Sequence, residues 1–212
     1  MLAKDEINLE IKKTGIMAIV RVETTDRAKE IAQACLDGGV NVLEISYTNS
    51  NAGKIIEFLK DEFKEKLLVG AGTVLDSETA RSAILSKAEF IIAPTMNKEV
   101  ALLANRYQVP YMPGCVSMTE MVEALEYGAS FVKIFPVAEY FGPSFIKTVK
   151  TPTPYMPLLS SGGVNLDNAQ EWFESGVEIL GIGSLLTKGS YDDIFGNAKT
   201  LTQIKNEVRS KY

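Results

Sequence analysis

A lysine stands in the middle of an apolar run, an unusual position for a charged side chain. Lys133 lies inside Phe131-Val132-Lys133-Ile134-Phe135-Pro136-Val137, whereas other lysines, such as Lys12 and Lys64, have charged or polar neighbours. Burial disfavours the ammonium form of an amine, and a neutral amine is a nucleophile toward carbonyl carbon. The run therefore predicts a Schiff-base lysine, with a strand-end lysine that reaches solvent as the alternative.

The residue types that are absent narrow the chemistry further. There is no histidine among the 212 residues, which excludes Ser-His-Asp and Cys-His sites and the usual His-containing zinc sites. Acid–base work must then fall to Glu, Asp, Lys, Tyr or water. The two cysteines, Cys35 and Cys115, are far apart in sequence, so we expect reduced thiols in a cytoplasmic protein. Without a histidine to activate it, Cys115 is expected to be a small buried residue rather than a nucleophile.

Composition indicates a globular protein and argues against several partners. Hydrophobic residues make up 46% of the chain, charged residues 23%, and the net charge is −5. This acidic balance, with no basic cluster, argues against nucleic-acid binding. No apolar run has the length of a membrane span, and the acidic start Asp5-Glu6 is unlike a signal peptide.

Eight short β-rich runs alternate with amphipathic helical stretches along the chain. The predicted strands are Ile16–Val22, Val42–Thr48, Leu67–Val74, Phe90–Pro94, Tyr111–Val116, Phe131–Val137, Tyr155–Ser161 and Ile179–Leu185. The predicted helices are Asp26–Asp37 (capped by Thr25 or Asp26), Asn51–Phe63, Ser77–Ser86, Lys98–Tyr107, Met118–Tyr127, Asp167–Ser175 and Tyr191–Lys211. This order predicts a single-domain α/β protein, a (β/α)8 TIM barrel over residues 1–212. A doubly wound open sheet is the alternative, although no glycine-rich loop follows the first strand.

Polar residues within these strands predict where the chemistry lies. If Leu43 and Ile45 pack on the helices, the alternation of side chains turns Glu44 into the barrel. By the same alternation, Arg21 follows Met17 and Ile19, Thr73 follows Val69 and Ala71, and Lys133 follows Phe131. We therefore expect Arg21, Glu44, Thr73 and Lys133 to converge toward the carboxyl-terminal mouth, where barrel enzymes keep their active sites. A structural ion pair between Glu44 and Arg21 or Lys133 is the alternative.

Two glycine-rich turns follow the last two strands. They are Ser160-Ser161-Gly162-Gly163 and Gly181-Ile182-Gly183-Ser184. Glycines let backbone N–H groups approach an anion, serine hydroxyls add donors, and this part of a barrel is a recurrent phosphate site. The pair of turns predicts phosphate binding, while simple tight turns would explain either one alone.

Several motifs in order resemble the bacterial 2-keto-3-deoxy-6-phosphogluconate and 2-keto-4-hydroxyglutarate aldolase family over about residues 15–186. The motifs are Val42-Leu43-Glu44-Ile45, Gly70-Ala71-Gly72-Thr73-Val74, Pro113-Gly114, Lys133-Ile134-Phe135-Pro136, Ser161-Gly162-Gly163-Val164 and Gly181-Ile182-Gly183-Ser184. The resemblance implies a class I aldolase with no metal or other cofactor, a small keto-acid substrate and a homotrimer of barrels. It also implies Schiff-base formation at Lys133 and acid–base catalysis by Glu44.

The resemblance further implies which residues bind substrate. Arg21, Thr73 and Pro94 would contact the keto-acid end, and Gly162, Gly163 and Ser184 the phosphate; Thr48, Phe135, Ser161 and Gly183 complete the candidate substrate contacts. Some members carry an arginine shortly after the glutamate strand, where this chain has Thr48-Asn49, and Ser160-Ser161 replaces a usual Pro-Thr.

We expect reversible cleavage of a 2-keto-4-hydroxy acid, and other functions stay open. A 6-phosphogalactonate-derived or unphosphorylated hydroxyglutarate substrate, a phosphate-binding isomerase or epimerase, and a silent sugar-acid-binding protein are the alternatives. Trp172 and Phe173 on the predicted helix Asp167–Ser175 are expected to be buried in the outer layer, with a subunit contact as the alternative.

Overall fold

The computed structural model describes residues 4–211, and within them nine parallel strands form a nearly closed barrel with helices between them. The strands are β1 (Ile16–Val20), β2 (Val42–Ser46), β3 (Leu68–Gly72), β4 (Ile91–Ile92), β5 (Tyr111–Met112), β6 (Gly114–Cys115), β7 (Val132–Ile134), β8 (Leu158–Ser161) and β9 (Ile179–Ile182). The helices are α1 (Lys4–Thr14), α2 (Thr25–Asp37), α3 (Ala52–Phe63), α4 (Ser77–Leu85), α5 (Lys98–Arg106), α6 (Met118–Glu126), α7 (Ala138–Lys150), α8 (Ala169–Glu174) and α9 (Tyr191–Arg209). Single 3₁₀ turns occupy Lys64–Lys66 and Ser184–Leu186.

The strand order confirms the predicted TIM barrel. Neighbouring strands run β5-β4-β3-β2-β1-β9-β8-β7-β6, so the two ends of the sheet, β5 and β6, are consecutive in the chain. They are two halves of the predicted strand Tyr111–Val116, separated by Pro113, which has no N–H to donate to a ladder. The barrel therefore has eight strand positions, and the open-sheet alternative is wrong.

Alternation along the strands separates an outer layer from the barrel interior. Leu43 and Ile45 pack in the outer layer against the helices, as predicted, together with buried residues of α2 such as Ile31. The interior begins with an apolar cluster. Its members are Ile7, Ile11, Met17, Val42, Leu68, Phe90, Ile92, Met112, Phe131, Leu159 and Ile179. Because Ile7 and Ile11 belong to α1, this helix closes the amino-terminal end of the barrel.

Two helices were not predicted. The sequence Gly142-Pro143 argues against a helix, and the structure accommodates it as a kink in α7 at which Gly142 takes φ 62°. α1 begins among charged residues, yet its Ile7, Ile11 and Thr14 are buried. Its helical periodicity was the signal that could have found it.

Element ends also differ from the predictions. Most strands stop one to three residues earlier than predicted, because their last residues turn into the loops at the barrel mouth. α2 is capped by Thr24, whose side chain accepts from the Arg27 N–H, so the predicted cap at Thr25 or Asp26 is wrong. Trp172 and Phe173 are buried, as expected. Within residues 4–211 we find no helix with the length and apolarity needed to cross a membrane.

Candidate active site

Glu44 and Lys133 lie in the barrel interior, each two residues further along its strand than a member of the apolar cluster. Glu44 follows Val42 on β2, and Lys133 follows Phe131 on β7. Both side chains are nearly inaccessible to solvent, at 2% and 7% exposure. The alternative of a strand-end lysine that reaches solvent is therefore wrong. An eight-stranded barrel is only wide enough inside for its side chains, so groups on β2 and β7 face a common narrow space.

Neither Glu44 nor Lys133 forms a salt bridge with another described residue. Among the described residues, no salt bridge involves Glu44, Lys133 or Arg21. The Lys133 ammonium lies 4.9 Å from the centroid of the Phe135 ring. The structural ion pair considered from the sequence is thus not formed. Among the described residues no salt bridge compensates the burial of either group, and the Phe135 ring is the one partner shown for the Lys133 amine.

Gly72 makes the position of Glu44 possible. Glu44 pairs with Gly70 on β3, and Ser46, two residues after Glu44 on β2, pairs with Gly72. A Cβ placed on Gly72 would lie 1.8 Å from Glu44 Oε1, well inside contact distance. Any larger residue at position 72 would displace the carboxylate.

The Thr73 side chain faces the barrel interior for a reason that strand alternation did not predict. Val69 and Ala71 belong to the outer layer, so strand geometry alone would turn Thr73 outward, and the predicted reason for its position is wrong. Instead Thr73 takes φ 58°, uncommon for a β-branched residue, and its hydroxyl lies 3.0 Å from Ser46 Oγ. Ser46 Oγ is also 3.1 Å from Thr48 Oγ1. These three hydroxyls, which we call the hydroxyl cluster, lie beyond Glu44 on the way to the mouth.

The glycine-rich turns form one cavity at the mouth of the barrel. It has a volume of about 300 Å³ and brings together seven of the candidate residues. Its lining is Ile19, Arg21, Phe135, Ser161, Gly162, Gly163, Val164, Gly181, Ile182, Gly183, Ser184 and Leu185. Arg21 is solvent-exposed there. We call this space the glycine-loop cavity; its exposed guanidinium, backbone N–H groups and serine hydroxyls suit an anion.

The glycines of this cavity differ in what surrounds them. Gly162 and Gly163 take φ 106° and 71°, and a Cβ on Gly163 would lie 3.3 Å from the Glu139 Cα at the start of α7. Gly183 has no described atom within 4 Å of its would-be Cβ. Gly183 therefore borders open space, while Gly163 also serves the packing of the turn against α7.

The remaining candidates lie outside this cavity. Pro94 packs behind Gly114, whose added Cβ would lie 2.1 Å from the Pro94 carbonyl oxygen. Thr48 lines a second mouth cleft of about 580 Å³ with Glu23, Asn49, Ser50 and Asn51. Sequence reasoning missed this cleft and Ser46, although Ser46 shares the alternation of Glu44 and Thr48. A groove of about 960 Å³ on the outer surface, which includes Gln33 and Lys66, contains no candidate residue.

Cys115 is buried, as expected, at 1% exposure, and it is not disulfide-bonded. Burial raises the pKa of its thiol to about 12, and nearby Glu120 and Glu123 add to the shift. Because the thiolate is the nucleophilic form, this cysteine is unreactive at neutral pH.

Comparison with known proteins places this geometry in a family. A 2-dehydro-3-deoxy-6-phosphogalactonate aldolase of Escherichia coli strain K12 is 34% identical over 173 residues, which cover 81% of this chain and 84% of that protein. A 2-dehydro-3-deoxy-phosphogluconate aldolase of Treponema pallidum is 31% identical over 76% of this chain and 77% of that protein. The solved "Native KDPGal structure" superposes with a TM-score of 0.86 at 31% identity, covering 92% of this chain and 96% of that chain. The Legionella pneumophila KDPG aldolase, solved with pyruvate captured as a covalent carbinolamine, superposes with a TM-score of 0.79 at 25% identity, covering 95% and 97%. The model of the KDPG and KHG aldolase family matches residues 7–199, and the chain belongs to that family of aldolases.

Proposed function

We propose that this aldolase cleaves a 2-keto-4-hydroxy acid through a Schiff base on Lys133, with Glu44 as the proton shuttle. The observation that carries the proposal is the pair of titratable groups, Glu44 and Lys133, that are buried in the barrel interior and form no salt bridge among the described residues. Burying two such groups without partners destabilises the fold. It suits a reaction that needs a nucleophilic amine and a proton donor close together and shielded from water. The carbinolamine in the Legionella relative supports lysine chemistry in the family.

The reaction begins at the C2 ketone. The neutral Lys133 amine attacks C2, and Glu44 protonates the carbinolamine oxygen so that water leaves and a protonated imine forms. The imine draws electrons from C3. Glu44, now ionised, removes the C4 hydroxyl proton as the C3–C4 bond breaks, which releases an aldehyde and leaves the enamine of pyruvate. Protonation at C3 and hydrolysis of the imine return pyruvate and free Lys133.

The glycine-loop cavity supports a phosphate on the far end of the substrate. Its exposed Arg21 supplies a cation, and Gly162, Gly163, Gly183 and Ser184 supply neutral donors. We therefore propose 2-keto-3-deoxy-6-phosphogluconate as substrate, cleaved to pyruvate and glyceraldehyde 3-phosphate. The 34% identity to a phosphogalactonate-derived aldolase favours the C4 epimer as a second candidate, and unphosphorylated 4-hydroxy-2-oxoglutarate is the third.

A comparison of the three substrates tests this proposal. Pyruvate release should be measured as kcat/KM for the two epimeric 6-phosphorylated acids and for 4-hydroxy-2-oxoglutarate. We expect a clear preference for the phosphorylated acids, with the gluconate epimer cleaved fastest. Equal values for all three would reject the phosphate assignment, and no pyruvate from any would reject the cleavage reaction.

We also propose a homotrimer. A designed protein cage made "by fusing symmetric oligomeric domains" superposes on this chain with a TM-score of 0.86 at 30% identity, which supports an oligomer. Light scattering coupled to size exclusion should give three times the chain mass; a monomer mass would reject the proposal. The cytoplasmic location stays a prediction from the two free cysteines.

A further inference from the structure

The loop after β9, residues 183–189, is held in place by hydrogen bonds to its carbonyl groups. The Gly183 carbonyl oxygen accepts from the Leu186 N–H and from Thr187 Oγ1, each at 3.0 Å. The Ser184 carbonyl oxygen accepts from the Thr187 N–H at 3.3 Å. Both carbonyl groups therefore have donors that come from further along the same loop.

These donors lie outside the glycine-loop cavity. The loop residues that line the cavity are Gly183, Ser184 and Leu185. Leu186 and Thr187, which supply the donors, are not part of its lining. The Leu185 carbonyl oxygen likewise accepts from a residue outside the lining, because Asn197 Nδ2 on α9 donates to it at 2.9 Å. The carbonyl groups of the three lining residues are therefore bonded on the side away from the cavity.

The N–H groups of Ser184 and Leu185 have no acceptor among residues 4–211. A peptide group is planar and trans, so its carbonyl and the N–H of the next residue point in opposite directions. Because Thr187 bonds the Gly183 carbonyl outside the cavity, the Ser184 N–H is directed toward the cavity. Carbonyl oxygens would repel a phosphate, whereas successive N–H groups bind one.

Arg27 on α2 fixes the position of Thr187. Its Nη2 donates to the carbonyl oxygens of Thr187 and Gly189, at 3.0 Å and 2.8 Å, and its Nη1 lies 2.6 Å from Glu30 Oε2. The half-buried Thr187 supplies the one side-chain donor to the Gly183 carbonyl among the described residues. Thr187 therefore connects the outer helix α2 to the peptide group that faces the cavity.

The turn after β8 has a similar arrangement. Asn168 Nδ2 donates to the Gly163 carbonyl oxygen at 2.8 Å, and Asn168 is not part of the cavity lining. Val164, which supplies the next N–H, does line the cavity. Two turns of different sequence thus hold carbonyl groups by side chains outside one shared cavity, which favours anion binding over the separate stabilisation of each turn.

We propose that Thr187 is a positioning residue, whose hydroxyl holds the peptide group between Gly183 and Ser184 so that its N–H binds the distal phosphate of the substrate. This assignment rests on the proposed function, in which a phosphate occupies the glycine-loop cavity. Thr187 lies outside the cavity and acts on the phosphate only through the loop.

Thr187→Val tests the assignment, because it removes the hydroxyl and keeps the shape of the side chain. Pyruvate release is measured from 2-keto-3-deoxy-6-phosphogluconate and from 4-hydroxy-2-oxoglutarate, and the ratio of the two kcat/KM values reports phosphate binding, since only the first substrate carries a phosphate. We expect KM for the phosphorylated acid to rise about three- to tenfold with kcat largely retained, so the ratio should fall by the same factor. Thr187→Ser, which restores the hydroxyl, should return the ratio close to the wild-type value.

Thr200→Val is the matched control. Thr200 Oγ1 donates to the carbonyl oxygen of Gly196, four residues earlier, at 2.9 Å, just as Thr187 Oγ1 donates to that of Gly183. Both threonines are half-buried, but Thr200 lies on α9 and does not line the cavity. The control variant should keep the wild-type ratio.

An unchanged ratio in Thr187→Val, or equal losses on both substrates, would overturn the assignment of Thr187. So would a Thr187→Ser variant as impaired as Thr187→Val, or a fall of the same size in Thr200→Val. A wild-type protein with no preference for the phosphorylated acid would instead overturn the proposed phosphate site, and the assignment with it.

Discussion

Two kinds of buried charge occur in this barrel, and they differ in whether an opposite charge lies beside them. Buried Glu89 has Lys60 Nζ at 2.8 Å and accepts from the Val69 N–H, and the partly buried Glu178 has Lys150 Nζ at 2.6 Å and accepts from the Leu158 N–H. Glu44, as buried as Glu89, has no such partner among the described residues. The paired carboxylates serve the fold, and the unpaired one is available for chemistry.

This difference predicts opposite effects of one substitution at two sites. Glu44→Gln keeps volume but cannot carry a proton, so kcat should fall about 10²–10⁴-fold. Its Tm should stay close to the wild-type value, because Glu44 forms no salt bridge among the described residues that the substitution would break. Glu89→Gln should retain kcat at low temperature and lower Tm by several degrees, because breaking a buried ion pair costs about 3 kcal/mol.

Steady-state kinetics and thermal unfolding of both variants check this prediction. Near wild-type turnover in Glu44→Gln would show that Glu44 is no acid–base catalyst. A large loss of Tm in the same variant would show that it serves the fold.

Single residues could be predicted where strand alternation governs them. Glu44 and Lys133 were placed correctly because both lie inside regular strands, where side chains alternate strictly. Thr73 lies just past the end of β3, and its left-handed backbone reverses the side that alternation assigns. Ser46 was not singled out, although it shares the alternation of Glu44 and Thr48; its contact with Thr73, on another segment, is one that no spacing within one strand reveals.

At the scale of elements, we propose that the loops after β8 and β9 bind phosphate, and their glycines differ in how directly they can test this proposal. Gly163 is constrained by φ 71° and by the nearness of α7, so its substitution would confound binding with folding. Gly183 has a negative φ of −90° and no described atom near its would-be Cβ. A methyl group at Gly183 would therefore meet a phosphate bound as proposed, rather than the protein.

Gly183→Ala should therefore raise KM for a 6-phosphorylated keto acid about tenfold or more, by obstructing the approach of the phosphate to backbone donors. It should leave cleavage of 4-hydroxy-2-oxoglutarate nearly unchanged. Gly196→Ala in α9 is the matched control, because its Cβ also meets nothing within 4 Å, and it should only stabilise the helix by about 0.5–1 kcal/mol. Equal losses on both substrates in Gly183→Ala would mean that the loop shapes the barrel and does not bind phosphate.

Element order was more predictable than element ends. β-rich runs identified every strand position, because they recur at regular intervals between amphipathic helical stretches. The ends differ because the last residues of each strand bend toward the mouth, where contacts across the barrel override local preference. α7 was missed for a similar reason, because Gly142 and Pro143 break local helix propensity while burial of Ala138, Ile146 and Val149 holds the segment in place.

At the scale of the whole molecule, buried acidic groups make the fold sensitive to alkali. Burial raises the pKa of Cys35, Cys115 and Tyr111 to about 12 each. The unfolded chain releases these protons near pH 9–10, while the folded protein holds them until about pH 12. The unfolded state therefore binds fewer protons in this window, and the free energy of unfolding should fall as pH rises through it.

Each group adds a slope of at most about 1.4 kcal/mol per pH unit. Urea unfolding between pH 8 and about 11 measures the slope, and the double variant Cys35→Ala, Cys115→Ala should flatten it while lowering stability at pH 8 through the small cavities it leaves. An unchanged slope in the double variant would contradict the raised thiol pKa values.

The account depends most on the reactive amine, and one experiment tests it directly. The protein is incubated with pyruvate and sodium borohydride, digested, and mapped by peptide mass spectrometry, beside Lys133→Met, which keeps an unbranched chain in the same apolar surroundings. We predict one reduced three-carbon adduct, on Lys133, that abolishes turnover, and no adduct in the folded Lys133→Met variant. An adduct on another lysine, or an unlabelled protein that still releases pyruvate from its substrate, would contradict the account.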